Sequence, residues 1–121
     1  MKLTVENLLA LGPVIGNLSA QPLKATDAYK VGRLAKSLGP EAESAQKARI
    51  ALMKEHGATE AEGIITLPPD RLQGYLDALK PLLESEVTIT AVDPLLLSVL
   101  KDAQLSAQEM MLLEDLHLIV P

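Results

Sequence analysis

Five cations repeat along one stretch of the chain: Lys30, Arg33, Lys36, Lys47 and Arg49. Guanidinium and ammonium groups at helical spacing can hold phosphates or carboxylates. The acidic and imidazole groups are fewer and more scattered. Glu84, Glu86 and Asp93 form one carboxylate group, Glu114 and Asp115 another, and the two histidines, His56 and His117, stand far apart. No HxH or HExxH spacing links them, so no metal site is expected. Catalytic carboxylates need a pocket that perturbs their pKa, and nothing in the sequence implies one. With no Cys there is no thiol nucleophile, thiolate metal site or disulfide. His56 is expected at a helix end, His117 at a surface or packing position, and the carboxylates on a solvated face. The chain is therefore expected to be no enzyme and to need no cofactor.

These groups need elements to position them. The longest helical run is 25–56, where Val31, Leu34/Ala35, Leu38, Ala42, Ala45, Ala48 and Leu52 keep one apolar face. Gly39-Pro40 interrupts this run while the face continues in phase, which predicts a kinked but continuous helix. Thr26 or Asp27 is the expected N-cap, Glu43 and Lys47 an i,i+4 pair, and Gly57 the C′ residue. Before it, Thr4 caps a helix over Val5–Leu18, with a kink or break at Gly12-Pro13 and a turn at Ser19–Pro22.

After Gly57 an acidic loop, Ala58–Gly63, precedes Ile64–Leu67, a short β-branched run. Pro68-Pro69-Asp70 opens a helix to about Lys80 with a stripe of Leu72, Leu76, Leu79 and Leu83, and Pro81 bends or ends it. Residues 86–90 alternate apolar and polar. The pattern predicts a minor two-stranded β element pairing 64–67 with 86–90. Asp93-Pro94 starts a short helix with Leu95, Leu96, Val99 and Leu100 inward. Ser106 and Glu109 form a capping box for a last helix carrying Met110, Met111, Leu113 and Leu116. The end, Leu118-Ile119-Val120-Pro121, either finishes the core or meets a partner. The fold expected is mainly α, a single domain over 1–121, with the long helix packed by shorter ones.

Composition narrows the function classes. The chain has 121 residues, two Tyr, and no Phe or Trp, so it offers no stacking platform for bases or flat cofactors. Residues 1–57 carry eight Lys/Arg and five Asp/Glu, and residues 58–121 carry three and eleven. Unlike halves attract one another within a molecule, or head to tail between copies. Nucleic-acid binding is not expected. No apolar run reaches membrane-span length, and the N-terminal run is too short and too acidic for a signal peptide. A cytoplasmic setting is expected.

The layout of AYKVGRLAKSL…KARIALMKEHG, then PPDRLQGYLDALKPLLESEVTI, then a Leu-rich helical end, resembles a family of small uncharacterised proteins of tailed phages and prophages. The resemblance implies a phage origin, in the host cytoplasm or the virion, and no defined activity. The function expected is a protein–protein interaction protein acting in virion assembly or on a host protein, with self-association favoured. The alternative is a small anti-defence inhibitor that binds a nucleotide through Lys30, Arg33, Lys36, Lys47 or Arg49, or blocks a defence protein.

Overall fold

A computed structural model describes residues 1–89, 94–101 and 103–121. Two helices dominate. α1 runs Val5–Ala20 and α2 runs Ala25–Glu55. They form an antiparallel hairpin with the most extensive contact in the fold. Leu8, Leu11, Ile15 and Leu18 of α1 meet Val31, Leu34 and Leu38 of α2 in the core. Each such side chain leaving water contributes about 1.5–3 kcal/mol. Among the described residues no polar or charged side chain is buried with them.

The start of α1 forms as expected. Thr4 Oγ accepts from the Asn7 backbone N–H at 3.1 Å, and Asn7 Oδ1 accepts from the Thr4 N–H at 3.1 Å. Both Gly-Pro steps are absorbed without a break, and α1 continues two residues past the expected end, to Ala20. In both helices the residue before the proline is glycine, which has no Cβ to crowd the proline Cδ. α2 begins differently from expectation. Lys24 is its N-cap and makes no side-chain cap bond, so neither Thr26 nor Asp27 caps it. Its apolar face is buried as far as Ala45, whereas Ala48 is exposed.

The described strands make three separate two-stranded pairs. β1 (Lys2–Thr4) pairs antiparallel with β4 (Glu86–Thr88), and β2 (Thr59–Ala61) pairs antiparallel with β3 (Ile64–Thr66). Both expected strand segments are therefore extended, but they do not pair with each other. The partner of β3 lies inside the segment read as an acidic loop. Glu62 and Gly63, with φ of 53° and 78°, supply the two left-handed residues of a tight hairpin turn. The partner of β4 is the residue run just before α1, too short to show a period.

α3 (Leu72–Glu84) follows a 3₁₀ turn at Pro69–Arg71 and runs past Pro81. The residue it buries is Tyr75, not the leucine stripe. The short helix expected after Pro94 is confined to one 3₁₀ turn, in which Val99 and Leu100 are buried as expected. Leu95–Leu96 is instead β5, parallel to β6 (Ile119–Val120), and Leu97–Leu100 is a 3₁₀ turn. Leu96, expected inward, is exposed. Asp93, expected as the cap and in the carboxylate group, and Thr90, expected at a strand end, lie outside the described residues.

α4 (Ala107–Asp115) starts on the expected capping box. Glu109 Oε1 accepts from the Ser106 N–H at 3.0 Å, and its other oxygen accepts from Asn17 Nδ2 of α1 at 3.3 Å. The Ser106 backbone bond, then the Asn17 bond, hold the Glu109 carboxyl below its ordinary pKa. Through the same contacts the box ties α4 to the end of α1.

α2 and α4 end in the same way. Ala58 N–H bonds the Met53 carbonyl and Gly57 N–H the Lys54 carbonyl; Leu118 N–H bonds the Leu113 carbonyl and His117 N–H the Glu114 carbonyl. Each is a Schellman cap with a left-handed residue at C′. At α2 that residue is Gly57, as expected; at α4 it is His117, with φ of 58°. A side chain in this conformation costs about 1 kcal/mol. H117G is therefore expected to raise the melting temperature by about 4 °C, read by thermal circular dichroism.

Candidate functional site

The five cations do not form one site. Successive helix residues turn by about 100°. By that rotation Tyr29, Arg33, Lys36 and Lys47 lie opposite the buried stripe of α2, Lys30 lies to one side, and Arg49 falls on the side of Val31 and Leu38. Tyr29, Gly32, Arg33, Lys36 and Ser37 surround one shallow depression. Ser37 Oγ donates to the Arg33 carbonyl at 3.1 Å, and the group spans between two and three turns of α2. Lys47 is further along and pairs with Glu43 at 3.2 Å, as expected. Arg49 Nε donates to Gln46 Oε1 at 3.2 Å, and its guanidinium lies 3.8 Å from Met53 Sδ. The structure thus brings Arg33 and Lys36 together, leaves Lys30 to one side of them, and separates Lys47 and Arg49 from that place.

Tyr29 is 68% exposed at the edge of that depression. It is one of only two aromatic residues. The other, Tyr75, is 6% exposed and meets His56 edge-on, with ring centres 6.3 Å apart. His56 is the C-cap of α2, the helix-end position expected for it. Its Nδ1 lies 2.9 Å from the Leu52 carbonyl, a bond that needs the proton on Nδ1.

The second surface is α3. Leu72 and Leu76 are 48% and 45% exposed, and Leu79 and Leu83 are half-buried. The steps between them are four, three and four, the spacing of a coiled-coil seam. This seam lies a quarter-turn round the helix from the line of buried Tyr75 and half-buried Ala78 and Leu82. A helix with two adjacent apolar lines can bury one in its own fold and leave the other open.

The third surface lies at the C-terminal end. Leu97, Met110, Ile119 and Val120 line an open pocket of about 590 Å³ together with Glu114, Asp115 and His117. The acids here, and Glu84 and Glu86, are exposed. Among the described residues no three acidic or His side chains gather where they could hold a metal ion, and no helix is long and apolar enough to cross a membrane. Comparison with known protein families, curated proteins and solved structures returns no match.

Proposed function

We propose that this chain is a non-enzymatic protein–protein interaction protein, phage-encoded, acting in virion assembly or on a host protein. The observation that supports this most is the leucine seam of α3. Four leucines at coiled-coil spacing are a costly surface to leave half in water, and they suit an amphipathic helix of a partner. Host cytoplasm or virion is the setting that follows.

Replacing both exposed seam residues, L72E/L76E, tests this. The variant is expected to keep the wild-type circular dichroism and to melt within a few degrees of it, because neither side chain is in the core. It is expected to lose the protein that co-purifies with tagged wild type from host or virion lysate, read by mass spectrometry. Recovery of the same partner by both proteins would refute the seam as the contact.

The anti-defence alternative draws on Arg33 and Lys36 at the depression beside Tyr29, with Lys30 to one side. It is the weaker reading, because Lys47 and Arg49 do not converge on that place and the depression is shallow. A nucleotide site needs several donors aimed at one phosphate. A thermal shift with cyclic and linear nucleotides is expected to be null, and stabilisation by one of them would reverse the ranking.

A further inference from the structure

We propose that this chain assembles head to tail, with the Tyr29 face of α2 from one copy seated in the C-terminal pocket of the next. The two surfaces have complementary chemistry. The pocket is lined by apolar Leu97, Met110, Ile119 and Val120 and by acidic Glu114 and Asp115. The α2 face has one large exposed ring, Tyr29, with Arg33 and Lys36 on the same face and Lys30 to one side of it. A tyrosine places an apolar body in such a pocket and keeps its hydroxyl at the wet edge. Tyrosine is among the residue types enriched at interface hot spots.

Charge selects the pairing. Residues 1–57 hold three more cations than acids, and residues 58–121 hold eight more acids than cations. Like surfaces of two copies repel, so pairing of either surface with itself is disfavoured, and basic face on acidic pocket is the attractive arrangement. The two surfaces share no residue. One copy can therefore use both at once, and each added copy presents a fresh pocket and a fresh face. Such a heterologous contact repeats until a ring closes or a filament grows. This differs from the α3 seam, which meets its partner through other residues.

Sedimentation velocity on the full chain tests it. At low salt, about 0.05 M, the wild type is expected to grow past a dimer as concentration rises. At about 0.5 M salt it is expected to fall back towards monomer, because the screening length drops to a few ångströms. K30E/K36E and E114K/D115K are each expected to stay monomeric at low salt with unchanged melting curves. Their equimolar mixture is expected to assemble, since each reversed surface then meets its complement. Y29A, which keeps every charge, is expected to weaken assembly about tenfold or more. L72E/L76E is expected to assemble like wild type, which separates this contact from the α3 seam. A wild type that stays monomeric at low salt, or stops at a salt-insensitive dimer, would overturn the proposal. So would single reversals that assemble like wild type, or a mixture that does not assemble.

Discussion

Leu118→Ala is expected to lower the unfolding free energy by about 3–4 kcal/mol, the cost of emptying a fully buried leucine site. Urea denaturation followed by circular dichroism reads it directly. The sequence left this residue in a tail that either joined the core or met a partner. The structure gives Leu118 no exposed surface. Its N–H bonds the Leu113 carbonyl at 2.8 Å, and its carbonyl accepts from Leu95 at 2.8 Å. The side chain is thus held at both backbone ends and joins the same core as Leu95 and Leu113. Little relaxation is open to it, which puts the cost in the upper part of the usual range. A domain of this size is stable by only about 5–15 kcal/mol, so the loss is a large share. Val120, two residues on and exposed, sets the contrast: V120A is expected to cost under about 0.5 kcal/mol.

The double variant G16A/G32A is expected to gain about 2 kcal/mol in the same measurement. Glycine in a helix interior costs about 1 kcal/mol relative to alanine. Gly16 lies inside α1 and Gly32 inside α2, and a Cβ built on either meets nothing within 4 Å. With no shared neighbour, the two gains add. Gly39 also has open space around it, yet G39A is expected to bring no gain. Its next residue is Pro40, and a Cβ there crowds the proline ring in a helical backbone. The same reasoning covers Gly12 before Pro13. Gly32 carries a further consequence, since it lines the depression beside Tyr29. G32A is expected to stabilise the monomer while weakening head-to-tail assembly, and G16A to stabilise without that effect.

The long helices were legible because their signals are long or chemically sharp. Thr4, Ser106 with Glu109, and Gly57 each mark a helix end by a specific hydrogen-bond chemistry, and each does so here. The stripe from Val31 to Ala45 runs over four turns, enough to fix a face. α3 was legible as a helix but not as a face. Leu72/Leu76/Leu79/Leu83 and Tyr75/Ala78/Leu82 are both apolar lines, and the choice between them is made by α1 and α2 rather than by α3. The strand pairs were out of reach for another reason. β1 to β6 are two or three residues each, shorter than any period can register. Their partners are chosen by the paths of the helices between them. The candidate surfaces were half legible. The cation run was visible, but the 200° turn from Lys47 to Arg49 splits it, and Tyr29 gave no sign of its exposure beyond standing among cations.

The pairing of β1 with β4 bears on how the chain is made. Lys2 lies opposite Thr88, and Met1 and Ile89 exchange backbone hydrogen bonds at 2.8 and 3.2 Å. A ribosome delivers β1 first and its partner only after α1, α2 and α3 have been synthesised. The α1–α2 hairpin has its local contacts and its Thr4 cap long before that, and domains build from such local contacts first. The β1–β4 clasp therefore closes late, over a loop of more than eighty residues. Until it closes, Leu3 and Val5 have no cover from Val87 and Ile89. The emerging chain passes through a stage with a formed helical hairpin and an uncovered apolar end, the stage at which a chaperone or a protease would find it.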